Sequence, residues 1–543
     1  MDLNNLLKPL LKIEDVIKII EYTKIVPQGV PDRYEHIRNV FNLNIKEQNS
    51  RELSIADVAR LVQTLETLLP RFGDNPADID RDSVEKDLQN YISKGISEIG
   101  TVNIIPPLTT CCGSLRKSGQ KACIVYRSRF RPVVGVMYEL KCSKCNTVYK
   151  CSTYKRKGLE LYYNDVLEQE YFMSTCDSVF SMEFMRRIDI DIFRKSASFE
   201  GIAYAYNDEH LGIEWMNSLN NTQILDRRRL SEAWYKKTLI EMKKNYNLQT
   251  EIEYILSDKL EGILECEKDV LWEKFSIKWS SSLHTDNCNH EECCKAIVID
   301  GHMKGTRSVC GATEVKTIDS KELGSIHMGC WKMPMKGSLY CTEHKHVKEE
   351  HKKKPTEGAK TEEDSECNTF KENGHLQKFK SAGVCASVYN CGIINGMREL
   401  YGCESLTQVY IFLIWLAKVL EIFPHLLAYD DACHLKKFIM NPIRAEKSEY
   451  SKFLTTLRIV VDKMHFANHV DKWCRRNVNP YTDDLFKHIN TEACEQTFQF
   501  VAKFKFATKH MSCGKYNLFM LKISEMYNND RLVRNRKRIK EDK

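Results

Sequence analysis

The sequence predicts an α/β chain: a mixed sheet in the C-terminal half, preceded by helices and a small β module. Three observations predict it. Beyond residue 284, apolar runs of strand length alternate with a buried helix and end on acids. Long charged stretches with helical periodicity, such as "RRRLSEAWYKKTLIEMKKNY", fill much of the first half. The chain also has 22 cysteines in 543 residues, and twelve of them crowd into 111–151 and 288–341.

Taken in order, residues 1–104 read as helices with polar faces. Residues 105–155 turn to β character, with "ACIVYRSRFRPVVGVMYELKC" between cysteines, and read as a zinc-ribbon-like cluster. Residues 156–280 read as mainly helical. Residues 281–345 hold the second cysteine cluster, overlapping the first strands of the sheet. Residues 346–378 are a charged linker poor in apolar residues. Residues 379–530 carry the rest of the core, and 531–543 form a basic tail, "RLVRNRKRIKEDK".

Within the core, "KAIVID" is the first strand, ending at Asp300, and "GHMKGTRSVC" the second. "GVCASVYNCGII" is the third. "ESLTQVYIFLIWLAKVLEIFP" is a buried helix stopped by Pro424. "HLLAYD" and "TLRIVVD" are the fourth and fifth strands, and a long helix starting near Asn490 carries "TEACEQTFQFVAKF". The order β-β-β-α-β-α-β-α is that of the RNase H-like fold, which gathers acids at strand ends and on the last helix. Asp300 and Asp430 stand at strand ends. Glu492 and Glu495 share a face of the final helix. Carboxylates brought that close repel unless cations neutralise them. Magnesium or manganese pairs, roughly 4 Å apart, do so in phosphodiester chemistry. Asp431 reads as a solvent-facing neighbour, and Asp462 as a helix cap rather than a ligand.

Composition narrows the classes. The net charge of +7 fits a nucleic-acid partner without requiring one. The most apolar run, "VYIFLIWLAKVLEIF", is broken by Lys418 and Glu421, so no span of a membrane is expected. The opening residues lack a charged-then-apolar leader pattern. The cysteines are therefore expected to be reduced and to hold metal rather than disulfides.

"KCSKC" sets Cys142 and Cys145 at the spacing of a zinc knuckle. Cys111 or Cys112, with Cys123 or Cys151, would complete that site. "CTEH" offers Cys341 and His344, with Cys310 and Cys330 upstream, a second four-ligand set. Cys288 with Cys293 or Cys294 forms a further half-site, with His284 or His290 as candidates to extend it. In "HFANHVDKWC", His465 and His469 stand four apart on an expected helix. Cys474 follows, and Cys433 is a fourth candidate. The stretch is not the metalloprotease HExxH, since Phe466 occupies the place of the general base. Zinc in these places would be structural.

"CKAIVIDGHMKGTRSVC", "GCWKMPMKGSLYCTEH", "YGCESLTQVYIFLIWL", "YDDACHL", "VVDKMHFANHVDKWCRRNVNPY" and "NTEACEQTFQFVAKFKFATKHM" together resemble the KDZ (Kyakuja–Dileera–Zisupton) transposases over roughly 285–525. The two cysteine segments look like the CxC clusters associated with that family. The resemblance implies an RNase H-like DDE core, DNA transposition and a nuclear site of action. By position it implies Asp300, Asp430 and Glu495 as the catalytic acids, with Glu492 and Asp431 as alternates. The doublet at 430–431 departs from the family pattern, in which one acid follows the tyrosine. The implied partners are DNA, both transposon ends and target, with a homo-oligomer left open and no membrane. A reading of another class also stands: a domesticated, non-catalytic zinc-containing scaffold that binds DNA or protein. "RKSGQK" and "RSRFR" offer phosphate contacts to either.

Overall fold

The structure, a computed structural model, describes residues 13–26, 33–45, 52–72, 102–108, 111–129, 131–212, 215, 223–249, 251–288, 290, 292–303, 305–312, 316–348, 380–402 and 404–541. The chain is mixed α/β and divides into two compact units. The first comprises residues 1–195, 199–241 and 249–257; the second comprises 196–198, 242–248 and 258–543.

In the first unit, helices α1 (Ile13–Ile25), α2 (Arg33–Ile45) and α3 (Ile55–Phe72) precede an eight-stranded sheet. Its strands are β1 (Val102–Ile104), β2 (Leu115–Tyr126), β3 (Val133–Cys142), β4 (Val148–Tyr149), β5 (Thr153–Arg156), β6 (Leu159–Tyr162), β7 (Tyr171–Thr175) and β8 (Ser178–Ser181). They lie in the order β6-β5-β4-β3-β2-β8-β7, with β1 parallel to β3. Apolar residues of the three helices, including Tyr22, Phe41 and Val62, bury themselves with Val136 and Tyr138 of β3. Gly135 permits the crossing of β1, since a Cβ there would stand 2.7 Å from the Val102 carbonyl oxygen. The β module thus extends to Ser181, well past residue 155. Strands β5 to β8 are too short and too polar for an alternation signal. Helices α4 (Met182–Lys195), α5 (Phe199–Leu211) and α6 (Arg227–Asn245) follow. Asp189 on α4 accepts from Trp234 Nε1 at 2.7 Å and from Lys237 Nζ at 2.6 Å, so this buried carboxylate is fully partnered.

The second unit begins with α7 (Leu260–Ser280) and the short α8 (Ser282–Thr285). Its central sheet is built of β9 (Ala296–His302), β12 (Gly383–Tyr389), β13 (Ile394–Leu400), β14 (Leu426–Tyr429) and β15 (Arg458–Val460), in the order β13-β12-β9-β14-β15. The hairpin β10 (Lys316–Ser320) and β11 (Gly324–His327) lies between β9 and β12 in the chain. β12 is antiparallel to both neighbours, whereas β14 runs parallel to β9 and to β15. β12 is buried along its whole length, and its continuous run "GVCASVY" reflects cover on both faces.

The expected second strand, "GHMKGTRSVC", does not form. Beyond its first two residues, which close β9, only Ser308 makes an isolated bridge, to Lys380. Arg307 is instead buried against Glu399 of β13 at 2.8 Å, and Cys310 joins a cysteine group described below. The expected third strand is in fact two. Asn390, Cys391 and Gly392 turn the chain, with Gly392 at φ +89°, so that β12 and β13 pair as a hairpin.

Helix α9 (Leu406–Val419) starts where Ser405 accepts from the Gln408 amide. After β14 come α10 (Ala432–Met440), α11 (Pro442–Ala445) and α12 (Glu449–Thr455). After β15 come α13 (Lys472–Asn477), α14 (Ala493–Val501), α15 (Lys505–Thr508) and α16 (Cys513–Glu541). α14 lies on β9, where Cys494 Sγ donates to the Val298 carbonyl at 3.0 Å. The expected final helix is therefore nine residues long, and the basic tail continues α16 as far as Glu541. The expected linker lies outside the described residues from 349 onward; its first three residues, 346–348, belong to a 3₁₀ turn.

Candidate active site and metal centres

β9 and β14 are adjacent and parallel, so their C-terminal ends emerge side by side. β9 pairs Asp300 with Ala386 of β12, and β14 ends at Tyr429, which places Asp430 just beyond it. Glu495 sits in the first turn of α14, the helix laid on β9. The structure brings these three acids together with a fourth, Glu404, from the loop before α9. Burial first, then the carboxylates of Asp430, Glu404 and Glu495, push the Asp300 carboxyl well above the usual range. Glu404 is held by the Tyr429 hydroxyl, which donates to its Oε1 at 2.9 Å. It approaches β9 so closely that a Cβ on Gly301 would collide with its carboxylate. Sequence reasoning missed Glu404. An acid beside Ser405 at a helix start reads as an ordinary capping-turn residue, and only the fold turns it toward Asp300.

The doublet at 430–431 divides. Asp430 Oδ1 accepts the Asp431 amide at 2.6 Å and acts on Asp300. Asp431 is not solvent-facing: its carboxylate meets His434 Nδ1 and accepts from Cys433 Sγ at 3.7 Å. Glu492 is the residue preceding α14, with its amide on Asn490 Oδ1 at 3.2 Å. Asp462 caps the following turn through the His465 amide at 2.9 Å. It also faces His465 Nδ1 at 2.9 Å and, as the largest cause, raises that imidazole above its ordinary value. Asp430 and Glu495 act on His465 in the same direction.

Residues 317–528 match the Kyakuja-Dileera-Zisupton transposase family.

The match covers less than half of the chain and overlaps the stretch over which the sequence resembles that family. The KDZ stretch includes Glu404, Asp430 and Glu495, while Asp300 precedes it by 17 residues. Searches of curated proteins and of solved structures found no match.

Among the described residues no cysteine forms a disulfide, and the cysteine groups are consistent with zinc binding. Cys111, Cys112, Cys142 and Cys145 offer four sulfurs within 4.8 Å of one another. Cys111 stands 3.5 Å from Cys145, and Cys112 stands 3.7 Å from Cys142. Zn–S bonds of about 2.3 Å give tetrahedral edges of about 3.8 Å, so the quartet fits. Asn146, at φ +58°, turns the knuckle. Hydrogen bonds from the Thr147 hydroxyl and amide lower the Cys145 thiol to about 6. Cys123 and Cys151, weighed as partners, lie instead in the apolar core with Val125 and Met173.

The second set is Cys310, Cys330, Cys341 and His344, within the same limit. His344 Nδ1 stands 3.3 Å from Cys341 and 3.6 Å from Cys310. A third set joins His284, Cys288 and Cys293 to Cys391, a residue sequence reasoning missed, some hundred positions away. His290 accepts the Glu292 amide at 3.2 Å, and Cys294 is not one of this four. The fourth set is Cys433, His469 and Cys474. His465 is not part of that trio. The expected helix is a 3₁₀ turn of Phe466–Asn468, which breaks the four-residue spacing and sends His465 to Asp462.

Proposed function

We propose that the second unit is an RNase H-like DDE nuclease core that cuts and joins DNA strands as a transposase, or descends from one. The observation that carries this reading is the meeting of Asp300, Asp430 and Glu495 from two parallel strand ends and one helix. The sheet order supports it: three antiparallel strands, then two parallel strands added beside the first. Carboxyl groups packed this closely stay ionised at neutral pH when hard cations sit among them. Asp300, Asp430 and Glu495 are the residues that would hold a pair of Mg²⁺ or Mn²⁺ ions, with Glu404 beside them. Such a pair supplies activation of a water or 3′-hydroxyl nucleophile and stabilisation of the leaving oxygen.

The chain does the rest. Tyr429 fixes Glu404 by its hydroxyl, and Gly301 leaves room for that carboxylate beside the strand. Asp462 orients His465 through Nδ1, which leaves the other ring nitrogen to donate to a phosphate oxygen. Lysines and arginines on a chain of net charge +7 supply phosphate contacts that set position rather than sequence. The zinc groups act as structural struts, and the site of action is the nucleus.

The test is cleavage of DNA bearing the element's own ends. The protein should nick it with Mg²⁺ or Mn²⁺ and not with a chelator present. Asp300→Asn, Asp430→Asn and Glu495→Gln should each lower the rate by about 10³-fold or more. Unchanged nicking by any of the three would remove that residue from the site.

A further inference from the structure

The third cysteine group brings together residues about a hundred positions apart in the chain. Its members come from the chain leading into β9 and from the β12–β13 turn. Three of the four are closed to solvent: His284 is 1%, Cys391 0% and Cys288 6% exposed. His284 Nε2 stands 3.5 Å from Cys293 Sγ and 3.5 Å from Cys391 Sγ. Zn–S bonds of about 2.3 Å and Zn–N bonds of about 2.0 Å give tetrahedral S···N edges of about 3.5 Å. The other ring nitrogen, Nδ1, lies 2.9 Å from the Trp279 carbonyl, which takes the proton there and leaves the Nε2 lone pair for an ion. Cys288 Sγ accepts from Asn535 Nδ2 of α16 at 3.4 Å, the kind of N–H donor that steadies a thiolate ligand.

The backbone around the four is fastened to match. Asn390, next to Cys391, donates its amide to the Ala296 carbonyl at 3.1 Å and accepts the Ala296 amide on Oδ1 at 3.2 Å. Its Nδ2 donates to the Glu292 carbonyl at 2.6 Å. The Cys391 carbonyl accepts from Arg531 Nε at 3.2 Å. These bonds hold the turn against the first residue of β9, so the sulfur of Cys391 is delivered to the site by a rigid frame. Small buried thiols alone would need no imidazole among them.

We propose that His284, Cys288, Cys293 and Cys391 hold one zinc ion in a closed Cys₃His site, and that this ion fastens the segment entering β9 to the β12–β13 turn. The inference stands without the nuclease reading. It assigns the ion a positioning task, because β9 carries Asp300 and β12 is its hydrogen-bonded neighbour.

Zinc counting on the full-length chain tests it. Cys391→Ser should lose about one zinc per chain relative to the parent, while Cys294→Ser keeps the full complement. Equal zinc in Cys391→Ser and the parent overturns the proposal, as does loss from Cys294→Ser alone. Thiol alkylation of the unaltered protein, mapped by peptide mass spectrometry, needs no substitution. Chelation should speed labelling of Cys288, Cys293 and Cys391 together by about tenfold or more. Labelling of Cys391 that ignores the chelator overturns the proposal by a route independent of how the variants fold.

Discussion

At the scale of residues, Asp300 is the strained member of the second unit. Its carboxyl is buried among three others, and its folded-state pKa is raised. For an acid that sign means stability is fullest at low pH and is lost as pH rises toward the folded value. With a chelator present, the melting temperature of the parent should therefore fall as pH rises from about 5 to about 8, and Asp300→Asn should flatten that slope. Near neutral pH the variant should melt about 1–2 °C higher, the shift that about 1 kcal/mol produces in a unit of this size. Scanning calorimetry checks it; a variant less stable than the parent under those conditions contradicts it. Gly301→Ala, one residue on, should displace Glu404 and lower divalent-ion affinity by about tenfold while leaving DNA affinity in chelator unchanged. A titration of both ligands separates these outcomes. The strand-end places of Asp300 and Asp430 were legible because each follows an apolar run, whereas Glu495 was preferred to Glu492 by the family resemblance. Glu404 was not legible, since its place depends on a tertiary approach that no local pattern encodes.

At the scale of elements, the cysteine knuckle joins the far ends of β2 and β3 to β4. Those ends hold few buried apolar residues, so a bound metal would supply their stability. Zinc removal should raise amide exchange in 111–117 and 141–149 by about tenfold or more, while 171–181 stays protected; hydrogen exchange by mass spectrometry reads this. Because a metal would bind thiolates, the same loosening should appear without a chelator as falling pH protonates the four sulfurs. The core strands were read well where they were apolar: "KAIVID", "HLLAYD" and "TLRIVVD" became β9, β14 and β15. The stretch "GHMKGTRSVC" was misread, since Arg307 seeks Glu399 and Cys310 a cysteine group. "GVCASVYNCGII" hid a hairpin because its turn, Asn390-Cys391-Gly392, lies within an apolar run. Cys391 therefore looked like a strand residue, when the turn had freed it to join His284, Cys288 and Cys293.

At the scale of the whole molecule, the order of elements in the second unit carried more information than any one motif. The first unit was less legible: its eight strands include pieces of two to five residues, below the length at which alternation speaks. Among the described residues no helix is long and apolar enough to cross a membrane. With a net charge of +7, DNA affinity should fall steeply with added salt, and a binding isotherm that ignores salt would contradict phosphate contact. The claim on which the functional account rests is that distant carboxylates share a pair of divalent ions. Manganese titration of the full-length chain, followed by electron paramagnetic resonance, measures this directly. The account predicts two ions with spin coupling in the parent, and loss of that coupling in Asp300→Asn, Asp430→Asn and Glu495→Gln. Identical spectra from the parent and the three variants would contradict it.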